Sequence, residues 1–225
     1  MGGQPKHNAA MSTRTALLAG ATGLVGRGIL AGLLADPQVT AVHTLGRRDD
    51  HTPHPKLSHH RVDFAALPPL PAVDEVYLAV GTTIKVAGSR PAFRAVDYET
   101  NLAVAKAAHA AGARRLGLVS AMGADARSSV FYNRVKGELE DALATLGYEG
   151  LAIARPSFLV GDRTALGQPE RSGEGLALRI STWLRPLIPA NYRSIHAGDV
   201  ASALLRAVPT VHGRLVLLSG EMRRD

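Results

Sequence analysis

Apolar residues in this chain fall into short unbroken runs. Between the runs lie longer segments in which they recur every three or four positions. Thr15–Ala19, Val39–Leu45, Glu75–Val80, Leu116–Ser120 and Leu151–Arg155 are runs of strand length. Their apolar character is continuous rather than alternating, as in strands covered on both faces. Val25–Ala35, Pro91–Ala111, Phe131–Leu146 and Asp199–Val208 carry the helical spacing instead. Pro91 opens the second of these and Gly112 follows it, while Gly147 follows the third, in keeping with the usual asymmetry of helix ends. Arg61–Phe64 reads as a short third strand and Leu215–Ser219 as a closing one. Strands separated by helices predict parallel βαβ units, and so an α/β fold with a doubly wound parallel sheet. Two segments break this rhythm. Asp49–His60, rich in His and Pro, reads as a loop. Gly161–Ala197 has scattered Gly, Pro and Arg and one amphipathic stretch around Leu176–Leu187, and reads as a small C-terminal lobe on the substrate side.

Composition narrows this picture. A length of 225 residues with 46% hydrophobic content fits one domain with one large core, spanning residues 13–225. Met1–Ser12 is polar and aperiodic and reads as a disordered leader or expression remnant, with Met11 a plausible native start. Ala16–Ala35 is apolar enough to suggest a signal sequence or membrane span, but five glycines and Arg27 interrupt it. No run reaches the roughly 18 apolar residues that a membrane crossing needs, which predicts a soluble protein with no membrane partner. Cysteine is absent, which excludes disulfides, thiolate metal sites and a cysteine nucleophile, and the expected compartment is the cytoplasm. The formal charge of +7 would draw anionic ligands. Nucleic acid is not expected, because the cations are scattered and aromatic residues make up only 4% of the chain.

The first predicted strand runs into Gly20-Ala21-Thr22-Gly23-Leu24-Val25-Gly26, a glycine turn that opens a helix. A helix starting there points unpaired N–H groups and the positive end of its dipole outward, where a pyrophosphate fits. The spacing is G-x-x-G-x-x-G rather than the more familiar G-x-G-x-x-G. In sheets of this type the group facing the adenosine ribose lies at the end of the second strand. Here that strand ends Gly46-Arg47-Arg48. Two guanidiniums with no competing carboxylate before Asp49 favour a 2′-phosphate, and hence NADP(H) over NAD, although an arginine pair also reads as a solvated loop. Asp63 and Phe64 follow the short third strand and are candidates for the adenine edge. Gly81-Thr82-Thr83 follows the fourth strand and is a candidate for the floor beneath the adenosine, or simply a turn.

Tyr132 and Lys136 are four apart on a predicted helix and so share a face, and Ser120 ends the strand before it. These are the parts needed for hydride transfer to or from a carbonyl. A tyrosine can give a proton to the developing alkoxide or take one from an alcohol. Its ordinary pKa of about 10 is high for that work near neutrality, and a neighbouring ammonium lowers it. Lys136 would also hold the nicotinamide ribose, and Ser120 would orient the substrate oxygen. The competing reading is a Tyr–Lys pair that merely covers a helix surface.

The glycine turn, Ser120 and Tyr132-Asn133-Arg134-Val135-Lys136 together resemble the short-chain dehydrogenase/reductase superfamily, in its extended and atypical members. Gly46-Arg47-Arg48, Gly81-Thr82-Thr83, Val96-Asp97-Tyr98, Ser120-Ala121-Met122-Gly123-Ala124-Asp125 and Val135-Lys136-Gly137-Glu138 resemble the atypical branch that contains the human Tat-interacting oxidoreductase-like protein. The resemblance runs from about Thr15 to the C-terminus. It implies a Rossmann-like fold and NADP(H) binding. Arg155-Pro156 resembles the Arg-Pro segment near the nicotinamide in those members, and His196–Ala201 their C-terminal helix start. Asn101 matches an asparagine common on the long helix, where it serves a proton relay or satisfies backbone at a bend. The resemblance further implies a monomer or a homodimer built on the two long helices.

Two classes of function follow. One is an NADP(H)-dependent oxidoreductase acting on a small carbonyl or alcohol. The other is a regulatory protein that binds NADP(H) as a redox sensor and turns over nothing. A nucleotide-sugar epimerase is a third reading, disfavoured by the short C-terminal lobe. His51, His54, His59 and His60 cluster in the Pro-interrupted loop, but without cysteine or glutamate they make a poor metal site, and no metal is expected. Arg163, Arg171, Arg179, Arg185 and Arg193 read as the polar face of the lobe.

Overall fold

A computed structural model describes residues 13–49, 52–160, 191 and 193–223. The leader Met1–Ser12 and nearly all of the proposed lobe therefore lie outside the described residues. In chain order the strands are β1 (Arg14–Ala19), β2 (Val39–Gly46), β3 (Leu57–Arg61), β4 (Glu75–Leu78), β5 (Arg115–Val119), β6 (Gly150–Arg155), β7 (Leu159–Val160), β8 (Ile195–His196) and β9 (Gly213–Leu218). The helices are α1 (Leu24–Ala35), α2 (Ile84–Ala87), α3 (Arg90–Arg94), α4 (Asn101–Ala110), α5 (Phe131–Ala144), α6 (Ala197–Ala207) and α7 (Ser219–Met222). Seven strands form one sheet in the order β3-β2-β1-β4-β5-β6-β9, with every neighbouring pair parallel. The order reverses between β1 and β4, which opens a crevice at the carboxyl ends of those strands.

Burial explains why the strands read as continuous apolar runs. Ala16, Leu17, Leu18 and Ala19 of β1 are all fully buried. Successive side chains point to opposite faces. Ala16 and Leu18 join the core under α1 and α6, and Leu17 and Ala19 join the core under α4 and α5. On the first face, α1 and α6 lie unusually close. A Cβ at Gly28 would stand 2.8 Å from the Ala201 Cβ, and one at Gly32 would stand 2.2 Å from Leu205 Cδ1.

The expected helix from Pro91 to Ala111 is present as one continuous helical stretch, but it contains a wide π turn at Ala95–Thr100 between α3 and α4. Ser89 caps its start by accepting from the Ala92 N–H at 3.2 Å, and Gly112, at φ +104°, ends it. One expected element is displaced. The third strand is Leu57–Arg61, inside the segment expected to be a loop, rather than Arg61–Phe64. Its register runs from Val42↔Leu57 to Gly46↔Arg61. Histidines supply its cross-strand contacts, with His43 Nδ1 3.0 Å from His60 Nε2 and Thr44 Oγ1 3.0 Å from His59 Nδ1. An edge strand paired through imidazoles shows no apolar signature. Phe64 instead follows in a turn made by Asp63, whose carboxylate accepts the Ala65 N–H at 3.0 Å. The short ladder of β7 with β8 and the four-residue α2 had no sequence expectation.

Candidate cofactor and active site

The turn after β1 is shaped first by the protein around it. Gly20 sits at φ +92°, and a Cβ there would lie 2.5 Å from the Ala79 carbonyl. A Cβ at Gly26 would lie 1.9 Å from the Gly20 oxygen. Both positions exclude a side chain, whatever binds outside. Gly23 differs, because a Cβ there would meet only ordinary contacts, the nearest being Gly20 O at 3.4 Å. Gly23 precedes α1 without any side-chain cap, so the first amides of the helix face outward unpaired by a capping group. Thr22 is exposed, Leu24 half-buried and Val25 buried, so Leu24 and Val25 anchor the helix while Thr22 faces solvent.

At the end of β2, Arg47 and Arg48 are exposed, and neither guanidinium enters an ion pair among the described residues. His59 holds their backbone. Its Nε2 lies 2.8 Å from the Arg48 carbonyl, and its Cε1 would stand 2.8 Å from a Cβ at Gly46.

After β4, Gly81 is exposed and Thr82 and Thr83 are half-buried. Thr83 caps α2 by accepting the Val86 N–H at 3.1 Å. The Thr82 N–H donates to Asp97 Oδ2 at 2.8 Å. The other Asp97 oxygen lies 2.7 Å from Lys136 Nζ, with the two side chains only 1% and 5% exposed. A Cβ at Gly81 would stand 3.4 Å from Asp97 Oδ1 and 3.8 Å from Lys136 Nζ. Burial disfavours the Lys136 ammonium, but Asp97, Tyr132 and Glu140 outweigh it and raise its pKa above the ordinary lysine value. Tyr132 is half-buried one turn earlier, its ring 5.3 Å from that of the buried Phe93. Lys136 thus lies beside Gly81 and within electrostatic reach of Tyr132, a different setting for Gly81 from the floor beneath the adenosine. Because Gly20 presses on Ala79, the glycine turn adjoins the same strand end.

Ser120 and Arg155 meet elsewhere. The Ser120 hydroxyl donates to Glu140 Oε1 at 2.5 Å. Glu140 is fully buried and also accepts from Arg155 Nε at 3.0 Å, Arg155 Nη2 at 2.6 Å and Arg214 Nη2 at 3.0 Å. The hydrogen bonds to Glu140 lead the influences that hold the Arg155 pKa above its usual value. Pro156 is buried, and its carbonyl accepts the Met122 N–H at 2.9 Å. Asn101 donates its amide to the carbonyls of Val80 at 3.1 Å and Asp97 at 3.0 Å. Its own Oδ1 is buried with no hydrogen-bond partner among the described residues.

Sequence reasoning gave no role to Asp97, Glu140 or Arg214. A lysine one turn before Leu139 and next to Val135 in a helix segment of buried residues was the available signal, since a buried ammonium demands a carboxylate. No group of three potential metal ligands occurs among the described residues. No helix among them is long and apolar enough to cross a membrane.

No family model matches the chain. It is 36% identical over 212 residues to Protein FMP52, mitochondrial, of Coccidioides immitis, covering 86% of this chain and 85% of that one. It is 33% identical over 217 residues to Protein fmp52, mitochondrial, of Aspergillus fumigatus, covering 91% and 88%. These names overturn the cytoplasmic expectation, which rested on the missing cysteines. Cysteine content reports on disulfide chemistry and carries no cellular address. Among solved structures, MoeE5 in complex with UDP-glucose and NAD superposes with a TM-score of 0.67 at 18% identity, covering 90% of this chain and 75% of that one. WbmH of Bordetella bronchiseptica in complex with NAD+ gives 0.67 at 18%, covering 92% and 76%. The oxidoreductase ylbE of Lactococcus lactis gives 0.62 at 18%, covering 89% and 88%. The chain belongs to the FMP52 family and has the Rossmann-like fold of the short-chain dehydrogenase/reductases.

Proposed function

We propose that the chain is an NADP(H)-dependent oxidoreductase that transfers hydride to or from a small carbonyl or alcohol. The observation that carries this reading is the buried Lys136 ammonium, set against Gly81 and electrostatically coupled to Tyr132 on the same helix face. The residues present fit the cofactor. The uncapped start of α1 after Gly23 suits the pyrophosphate. Arg47 and Arg48 suit a 2′-phosphate. Gly81, with its missing side chain, leaves room for a ribose beside Lys136. The bound nicotinamide supplies or accepts the hydride. Tyr132 gives a proton to the carbonyl oxygen in one direction and takes one from the alcohol in the other. Lys136 places its positive charge on the same helix face as the phenol and donates to the ribose hydroxyls. The names of the relatives support a mitochondrial setting.

A second reading, NADP(H) binding without turnover, draws on one observation. The Ser120 proton is committed to Glu140, so in this arrangement it does not reach a substrate oxygen. NADPH oxidation against a panel of aldehydes and ketones separates the two. Turnover that falls by about 100-fold or more in Tyr132→Phe supports the oxidoreductase. Tight NADPH binding with no oxidation across the panel supports the sensor.

A further inference from the structure

We propose that Asp97 is a positioning residue that holds Lys136 as an ammonium beneath the Gly81–Thr83 loop. This rests on the role given to Lys136 above. A lysine removed from water sheds its proton unless an opposite charge stands against it. The groups facing Lys136 come from three directions. Its own helix supplies Tyr132 one turn before and Glu140 one turn after, the π turn supplies Asp97, and the loop after β4 supplies the backbone of Gly81. Glu140 is already matched by Arg155 and Arg214 and accepts from Ser120 as well. Tyr132 carries charge only when ionised. Asp97 is therefore the one carboxylate in this group whose charge is free to balance the ammonium.

The backbone is built to deliver it. Asn101 ties the Asp97 carbonyl to the end of β4 by donating to both Asp97 O and Val80 O, and the helix widens to a π turn at that point. Each α-helical residue turns the side-chain direction by about 100°, so the widened turn re-aims the residues around it. Asp97 lies under the loop, where Oδ2 fixes Thr82 and Oδ1 meets Lys136. Oδ2 accepts from the Thr82 N–H, while Oδ1 has no hydrogen-bond partner among the described residues and stands in ion-pair contact with Nζ, so Asp97 acts through the ammonium and not on the cofactor itself. The contact to Asp97 is one of charge rather than a formed hydrogen bond, and the N–H donors of Lys136 are available to the ribose and the phenol.

The chain has only five lysines, Lys6, Lys56, Lys85, Lys106 and Lys136, so side-chain carbon labelling and nuclear magnetic resonance can follow each one through a pH titration. Loss of one signal in Lys136→Arg assigns the resonance. In the intact chain, Lys136 is expected to deprotonate above the ordinary lysine value. In Asp97→Asn its midpoint falls by at least about one pH unit. In Asp97→Glu, which keeps the carboxylate, it stays above the ordinary value. An unchanged Lys136 midpoint in Asp97→Asn overturns the proposal. If Asp97→Asn does not fold, the intact chain decides, because Lys136 deprotonating within or below the ordinary lysine range while the helical circular dichroism persists also overturns it. None of these readings needs a substrate or a bound nucleotide. A failure of hydride transfer would therefore appear separately, as absent NADPH oxidation with the lysine titration intact.

Discussion

Arg47 and Arg48 make a simple case of chemistry set by single side chains. Both are exposed at the carboxyl end of β2, and their backbone is pinned by His59, so the guanidiniums are presented from a fixed base. A bidentate guanidinium–phosphate pair is among the stronger hydrogen-bonded contacts, and it discriminates only between nucleotides that do and do not carry the 2′-phosphate. Replacing both, as Arg47→Ala with Arg48→Ala, is expected to weaken NADPH about 10- to 100-fold at two charge-assisted contacts. NADH should change by less than about threefold. Fluorescence titration of both nucleotides reads this directly, and equal losses for NADPH and NADH would remove the phosphate assignment. Ser120 shows the opposite situation. Its position matched the chemistry, but its hydroxyl is held by Glu140, a partner twenty residues away in sequence. Nothing local to Ser120 announces that contact.

The turn between β1 and α1 separates what the fold requires from what a ligand would require. Gly26→Ala would drive a methyl group into the Gly20 carbonyl, so it is expected to destabilise the chain by about 1–3 kcal/mol, as overpacked sites do. Gly23→Ala meets no such obstruction and should cost about 1 kcal/mol or less, the scale of a changed helix cap. The methyl would stand beside the uncapped start of α1, the place proposed for the pyrophosphate, so Gly23→Ala should nevertheless weaken NADPH. Thermal melts beside nucleotide titrations test the pair, and a Gly23→Ala chain that binds normally would argue that the phosphates lie elsewhere. The same distinction explains what was legible beforehand. Buried parallel strands and their crossover helices write continuous and periodic apolar patterns, so β1, β2, α1 and α5 were readable to within two residues at each end. The third strand was not, because His43, Thr44, His59 and His60 hold it through polar contacts. The π turn was hidden too. It depends on an Asn101 amide reaching Val80, a contact between elements, while its own residues keep helical spacing. Tyr132 and Lys136 were legible as an i, i+4 pair, whereas the Asp97 that meets Lys136 arrives from another helix.

Across the molecule, three titratable groups favour the folded state in the same protonation direction. Tyr77 is fully buried and donates to Glu75 at 3.1 Å, and burial, reinforced by that carboxylate, pushes its pKa well above the ordinary tyrosine value. Tyr148 donates to the Ala105 carbonyl at 2.7 Å, and burial raises its pKa also. Lys136 is raised by its carboxylate neighbours and Tyr132 against the pull of burial. A group whose folded pKa exceeds its unfolded one stabilises the fold fully below the unfolded value, and that stabilisation drains away as pH rises through the folded value. The unfolded values are about 10 for tyrosine and about 10.4 for lysine. Stability from these groups should therefore be flat from neutral pH to about 9 and should fall steeply above about 10. The two tyrosines lie on different faces of the sheet, Tyr77 in the core beside α1 and α6 and Tyr148 against the core beside α4 and α5. Tyr77 is fully buried, so its phenol cannot ionise without opening the core next to it, whereas Tyr148 is half-buried. The Tyr77 phenol should consequently stay silent in a tyrosinate absorbance titration until the helical circular dichroism is lost, and ionise in that same cooperative step. Ionisation of all five tyrosines while the helical signal persists would mean that the Tyr77 phenol is not closed off from water. Tyr77→Phe removes one of the three groups and should move the alkaline transition to higher pH.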